Sequence, residues 1–330
     1  MSTRSELRLS LACGDYDINR GLVDGFDRIQ GVDAVTLTMS SPERHWRLMR
    51  HHEFDICELS MASYLVMRDR HSDPYIAVPV FPHRRFRHSY LFVNAAANIA
   101  SAKQLDGTAI GLRTWQTTAG LWTRGILEEY YGVDIHSIRW FTQDEEDIPL
   151  DLASKGFSQQ RVPDDQDVDR MLVDGALQGL MYPELPPSFR RGDQRIVRLF
   201  QDAKAEEIGY FASTGIFPIM HTVVIREDLL DQHPWLAMNV VQAFRRSKDR
   251  AFRQMEDPRR VSLAWFREAL EEQRGVMGKD PWAYDLPRNR RAIEAICGYA
   301  YDQGLTSRCL TTDDLFHPAG LDDPPQYVGA

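Results

Sequence analysis

Apolar and polar positions alternate from Leu7 to Ala12, the period of a half-buried strand. The turn-rich stretch Cys13-Gly14-Asp15-Tyr16-Asp17 follows, and helical spacing is expected from Ile18 to Ile29. A second strand is expected at Ala34–Met39. After it Ser41 is positioned as an N-cap with Pro42 at the first helical position, a strong helix start. That helix runs to about His52, and Phe54–Leu59 reads as a third strand. Strand and helix alternate over short connections, which predicts α/β layers around a largely parallel sheet.

The pattern continues with strand-like runs at Tyr75–Phe81 and Ser89–Asn94, a turn at Lys103–Gly107 and a strand at Thr108–Leu112. Thr117 or Thr118 caps a long helix to Tyr130, which Gly132 closes. This restart of the alternation is what a second domain would produce. Asp144–Asp169 reads as an irregular excursion rich in Asp, Gln and Pro. A helix at Val168–Gly175, a strand at Leu177–Met181 and a turn at Tyr182–Pro187 come next, then a strand-like run at Ile216–Ile225. Helical spacing fills Trp235–Phe252, Leu263–Gln273 and Ile293–Tyr301. One β/α lobe is thus interrupted by another before the chain finishes in helices.

Charge narrows the partners. The 330 residues carry 48 acidic against 39 basic side chains, a net charge of -9, and only five of the basic residues are lysine. An acidic chain with dispersed arginines has no basic stripe to offset phosphate repulsion, so nucleic acid is not an expected partner. Five lysines leave few candidates for Schiff-base chemistry, whereas arginine's planar fork suits carboxylates. Cys13, Cys57, Cys297 and Cys309 lack zinc or dithiol spacing and are expected as free thiols. The start Met1-Ser2-Thr3-Arg4 leads into an alternating pattern rather than an export signal, and no run approaches the ~18 apolar residues of a membrane span. A cytoplasmic protein with no membrane partner is expected. There is no P-loop, Gly-x-Gly-x-x-Gly or Gly-x-Ser-x-Gly. His45 and His52 share a helix face but stand about 10.5 Å apart, too far to chelate one ion, so both are expected at the surface. His51-His52-Glu53 lacks the cysteines of a zinc deaminase. His83 with Arg84-Arg85 reads as a solvated face.

Ordered blocks carry a more specific signal. Leu11–Asp17, Phe54–Ser60, Val78-Pro79-Val80-Phe81-Pro82, Phe86-Arg87-His88-Ser89, Trp122–Leu127 and Gly215–Val224 together resemble the 4,5-dihydroxyphthalate decarboxylase family from about residue 7 to 315. The resemblance implies a two-lobed type II periplasmic-binding-protein-like clamshell whose crossover strands fall near 89–93 and 214–221. Lobe one would be 1–92 plus 217–330, and lobe two 93–216. Arg113-Thr114-Trp115 and the turn at Met181–Pro187 depart from the family pattern, and both are expected to face the cleft.

The implied activity is non-oxidative decarboxylation of a hydroxylated phthalate-type acid, 4,5-dihydroxyphthalate to protocatechuate and CO2. Direct loss of CO2 would leave an aryl carbanion. Removal of the proton from the hydroxyl para to the leaving carboxylate lets the carboxyl-bearing carbon accept a proton instead. The resulting dienone expels CO2 with no external electron sink. Such a site needs a base, an acid and cations for the carboxylates. His221 or His88 is the expected acid, with Glu58 or Asp17 near the hydroxyls. Arg87, Arg113 and Arg124 are candidate carboxylate anchors, although Arg124 could instead pair with Glu128 on its own helix. Thr117 and Thr118 would offer backbone amides at a helix N-terminus, and Tyr16 would line the cleft. The expected partner is a small aromatic di-acid, with a homo-oligomer possible. Either no cofactor or a divalent metal ion chelated by the catechol would serve. The competing reading is a cytosolic non-catalytic protein that binds aromatic carboxylates on the same fold.

Overall fold

The computed structural model describes residues 6–71 and 74–318, so the reading of Met1–Arg4 and the outer ends of lobe one lie outside the described residues. Eleven strands are found among the described residues. They are β1 (Leu7–Cys13), β2 (Val32–Thr38), β3 (Ile56–Ser60), β4 (Tyr75–Val78), β5 (Leu91–Asn94), β6 (Ala109–Leu112), β7 (Arg139–Thr142), β8 (Ser158–Arg161), β9 (Gly179–Met181), β10 (Ile196–Arg198) and β11 (His221–Arg226). They form two sheets with orders β2-β1-β3-β11-β4 and β10-β5-β9-β6-β7-β8. β1 runs parallel to β2 and β3, while β11 runs antiparallel between β3 and β4. This is a mixed α/β architecture built on two sheets.

β3 is central, and all five of its residues are buried. Four of them are ordinary for such a strand, but the fifth is Glu58. A carboxylate enclosed on both sides of a sheet survives only with partners, so this position announces a site. The antiparallel register sets His221 opposite Ser60 and Val223 opposite Glu58. Side chains alternate along a strand, so Glu58, Ser60 and His221 share one face, with Glu58 and His221 as diagonal neighbours.

The chain passes between the sheets twice, after β4 and before β11, and the two passages pair with each other. Arg84 bridges Ile219 in antiparallel fashion, the Met220 amide donates to the His83 carbonyl at 2.9 Å, and the Arg85 amide donates to Pro218 at 3.2 Å. The pairing falls a few residues earlier than the expected 89–93. The strand-like run from Ile216 becomes a regular strand only at His221, because Ile216–Met220 is used in this crossover.

Helix Thr118–Glu129 of the second sheet packs on helix Arg290–Asp302 near the C-terminus. Gly125 makes the approach possible, because a Cβ there would stand 2.3 Å from the Tyr299 ring. Gln303 stitches the same interface: its side chain donates to the Leu121 carbonyl and accepts from Arg124 at 2.7 Å, and its carbonyl accepts from the Trp115 indole. One apolar cluster runs from Leu9 and Leu11 through Trp122 to Ile296, continuous across both sheets.

Other elements differ from expectation for local reasons. The helix expected at Ile18–Ile29 stops at Val23, followed by Gly25 at φ +76° and Gly31 at φ +82°. The helix after β2 begins at Ser41 with Ser40 in the cap position, making no side-chain cap bond. Thr117 caps the next long helix as expected, accepting from the Gly120 amide. The excursion at 144–169 contributes edge strand β8. Its polar residues match an edge exposed on one side, which hides the strand in an apolar pattern. The helix Ala203–Thr214 has no counterpart in the apolar pattern, because most of its surface is half-buried or exposed.

Candidate active site

Glu58 organises the site. Its Oε2 accepts from the Gly14 amide at 2.7 Å, and its Oε1 receives Tyr16 Oη at 3.0 Å, His221 Nδ1 at 2.5 Å and Arg44 Nη2 at 3.1 Å. The Glu58 and Arg44 side chains are both fully buried. Burial alone would raise the Glu58 pKa, but the Arg44 guanidinium and the bonds from His221 and Gly14 hold it well below the usual carboxylate range. Glu58 is therefore an anion that orients its neighbours. Gly14 is required for this contact: a Cβ there would lie 2.3 Å from Tyr16 Cζ and displace the ring from Glu58.

Arg44 comes from the helix Ser41–His51 and spends its other donors on the Glu58 and Met39 carbonyls at 2.9 and 3.1 Å. The next residue, His45, meets His221 edge to face with ring centroids 4.9 Å apart. His83 meets the His221 ring at 4.6 Å and the Tyr16 ring at 5.7 Å. Three imidazoles thus stand in a row beside one carboxylate. Desolvation lowers all three pKa values; for His83 this reaches about 2, with His221 a further opposing charge. For His221 the Glu58 carboxylate pulls the other way, so its imidazolium is the best supported of the three. Since Glu58 is ionised, His221 Nδ1 carries the hydrogen, and Nε2 is the nitrogen left for chemistry.

The structure corrects the sequence reading here. His45 is not at the surface as expected; it is buried, and so is its neighbour Arg44. His83 is half-buried and Arg84 buried, leaving Arg85 as the exposed member of that stretch. A spacing signal existed. Arg44 and His45 lie four and three residues before Leu48, which is fully buried, and so share its helix face.

The other expected residues scatter. His88 is buried among Tyr131, Phe200 and Tyr210, with both ring nitrogens lacking a partner among the described residues. Arg87 beside it donates to the Tyr182 carbonyl at 2.8 Å and lies over the Tyr90 ring. Arg124 does not pair with Glu128. It is fully buried over the Trp115 ring at 3.8 Å, and its Nε and Nη2 are held by Gln303 and the Trp115 carbonyl. Arg113 is half-exposed and pairs with Asp144 at 2.6 Å. Asp17 is exposed, and its carboxylate accepts from the Ile18 amide. Thr118 does come to the site. Its Oγ1 meets Ser60 Oγ at 2.9 Å and accepts from the Ala62 amide at 3.0 Å, which places the start of its helix beside the strand partner of His221.

Among the described residues no three His, Cys, Asp or Glu side chains are arranged to hold a metal ion. The three imidazoles meet edge to face rather than converging, and His221 Nδ1 is taken by Glu58. The residues present do not fit a metal centre. Cys13, Cys57 and Cys297 are buried thiols and Cys309 an exposed one, all unbridged. Burial pushes Cys13, next to the cluster, up to about 12, which removes it as a nucleophile. No helix among the described residues is long and apolar enough to cross a membrane.

Comparison with known proteins adds the family. No protein-family model matches the chain. A 4,5-dihydroxyphthalate decarboxylase from Comamonas testosteroni is 38% identical over 326 residues, covering 96% of this chain and 98% of that protein. A second protein of the same description, from Pseudomonas putida, is 36% identical over 204 residues, covering 60% of this chain and 79% of its own. Among solved structures, the periplasmic aliphatic sulphonate binding protein from Escherichia coli aligns at TM-score 0.57 and 9% identity over 98% of this chain and 95% of its own. A sulfonate-binding protein from Methylobacillus flagellatus aligns at TM-score 0.55 and 17% identity, covering 96% and 93%. Those two likenesses establish the fold alone. The sequence relatives do more: the chain belongs to the 4,5-dihydroxyphthalate decarboxylase family.

Proposed function

We propose that this chain is a non-oxidative carboxy-lyase that converts 4,5-dihydroxyphthalate to protocatechuate and CO2. It would work in the cytoplasm on a small aromatic di-acid, with neither nucleic acid nor a membrane as partner. Residues 1–92 plus 217–330 would form one lobe and 93–216 the other. The observation that carries the reading is the Glu58–His221 pair, an ionised carboxylate in the middle of the central strand bonded to the imidazole that begins its antiparallel neighbour.

His221 acts as the general acid. Burial lowers its pKa, but the bonded Glu58 carboxylate opposes this and sustains the imidazolium, whose Nε2–H is the proton delivered to the carboxyl-bearing ring carbon. Glu58 works through His221 rather than on the substrate, because its two oxygens already accept four bonds from protein donors. Tyr16 lines the cleft above it. One substrate carboxylate is held at the N-terminus of helix Thr118–Glu129, where backbone amides and the helix dipole favour an anion. In this reading that helix end replaces the expected clamp of Arg87, Arg113 and Arg124, whose guanidinium groups are bound elsewhere in the protein. With a proton placed on the carbon, the bond to the carboxylate breaks and its electrons restore the aromatic ring.

The test is incubation of the purified protein with 4,5-dihydroxyphthalate, following CO2 and protocatechuate. Stoichiometric release of both is expected. Tight binding without turnover of this or any isomeric dihydroxyphthalate would replace the enzyme with a binding protein.

A further inference from the structure

Protonating the ring carbon is half of the reaction; the hydroxyl para to it must also lose a proton, and that base has to reach the hydroxyl while His221 reaches the carbon. Glu58 is committed to four protein donors and Asp17 is exposed on the loop beyond it. Tyr16 donates its own hydrogen to Glu58, and desolvation and the Glu58 charge raise its pKa, so it cannot accept one. His45 is buried on the helix side of the cluster next to Arg44.

His83 is different. It lies on the first crossover between the sheets, and its carbonyl accepts the Met220 and His221 amides at 2.9 and 3.2 Å. That pins its backbone to the strand carrying His221. Its ring stands between Tyr16 and His221, and its Nδ1 is buried with no partner among the described residues. The residue is half-buried, whereas His45 and His221 are buried.

We infer that His83 is a second catalytic residue, the general base for the substrate hydroxyl, working beside His221, the acid. This rests on the decarboxylase reading above. The division of labour follows the charges around each ring. His221 has Glu58 bonded to it. His83 faces His221 from β11, Tyr16 from the loop after β1, and Arg85 and Arg87 from its own segment, with Glu58 further back across His221. Its burial and those cations leave His83 neutral with an unpartnered ring nitrogen, and the carboxylates of the bound di-acid would favour the imidazolium formed when it takes the proton.

The steps balance. The hydroxyl O–H bond breaks and its proton passes to His83, whose lone pair forms the new N–H bond. The oxygen's electrons move through the ring, and the para carbon takes the proton of His221 Nε2 in a new C–H bond. The C–C bond to the carboxylate then breaks, CO2 leaves, and the bonding pair restores the aromatic ring. The oxygen takes its proton back from His83. The net change is one proton consumed per CO2, and His221 regains that proton from water.

Rescue by added imidazole separates the two roles. For His83→Ala, kcat for CO2 release from 4,5-dihydroxyphthalate is expected to fall by about 10²–10⁴-fold with KM nearly unchanged. Added imidazole should restore rate in proportion to its neutral form, so rescue strengthens as pH rises through the imidazole pKa. For His221→Ala, rescue should follow imidazolium and weaken over the same range. His83→Gln, which keeps the size of the side chain, should fall as far as His83→Ala. If His83→Ala misfolds, His83→Gln decides by its kcat alone. Retained wild-type kcat in either His83 variant, or rescue of His83→Ala that follows imidazolium, overturns the base. A wild-type protein that binds 4,5-dihydroxyphthalate but releases no CO2 overturns the decarboxylase reading itself, which is a distinguishable failure.

Discussion

Two buried arginine–histidine neighbourhoods sit in this molecule, and they have come to opposite arrangements. Around β3, Arg44 is paired with Glu58, Glu58 is bonded to His221, and the imidazoles of His45 and His83 flank that histidine. Around β5, Arg87 and His88 line a small cavity of ≈ 10 Å³ with Thr123, Tyr131 and Phe200, and among the described residues no carboxylate is bonded to either. That space holds about one water. Burial lowers Arg87 to about 9, against a smaller opposing pull from Tyr90 and Glu207, and lowers His88 to about 4. The residue types are the same. A buried acid separates a site that can hold and pass a proton from one that is packing around a polar pair.

Removing the charge that sustains the first neighbourhood should have the largest structural effect. Arg44→Met leaves Glu58 buried without its cation and is expected to cost about 3–5 kcal/mol, read as a shift in the urea midpoint. Arg87→Met removes a guanidinium with no such partner, so its cost should stay near the ~0.5–1.5 kcal/mol of one hydrogen bond. Equal losses would erase the distinction between the two regions.

A second way to sharpen the comparison is pH. His45, His83, His88 and His221 all have pKa values below the ordinary 6.5 in the folded state. The unfolded chain therefore binds more protons below pH 6.5. The stability from these groups is fully present above that pH and is lost as pH falls, at up to ~1.4 kcal/mol per unit for each histidine. Glu58 adds a loss of the same sign below its ordinary 4.5, because its folded value is depressed. Denaturant titrations between pH 7.5 and 5 should show this slope, and His88→Phe should reduce it by one histidine's share without touching the rest. A flat profile would contradict the buried neutral imidazoles.

A smaller effect is expected at the contact between the sheets' helices. Gly125→Ala sets a Cβ against the Tyr299 ring and should cost about 1–3 kcal/mol by overpacking, with the Glu58 cluster unaffected. Thermal unfolding of the variant checks the stability, and an unchanged KM checks the cluster.

The fold was legible because strand alternation and apolar blocks are local signals, and β1, β3 and β6 lie within a residue or two of their expected bounds. Glu58 and His221 were legible because they sit in ordered blocks that resemble the family. Arg44, His45 and His83 were not, since each is embedded in charged sequence that reads as solvated surface. Their burial follows from tertiary contact: the helix after β2 lays Arg44 and His45 over β3, and the crossover pairing turns His83 toward His221. The expected arginine clamp meets the converse difficulty. Arg124 lies in a specific block, and its donors serve Gln303 in the helix interface. A motif identifies positions under constraint without saying whether packing or chemistry is the cause.

The central claim is that proton transfer resides at the Glu58–His221 cluster and not at the Arg87–His88 pocket. The direct measurement is kcat for CO2 release from 4,5-dihydroxyphthalate by His221→Gln and by His88→Gln, each side by side with the unaltered protein. A loss of about 10²–10⁴-fold in His221→Gln with His88→Gln within a few fold of the unaltered rate is the predicted result. The reverse pattern, activity kept without His221 and lost without His88, would contradict it.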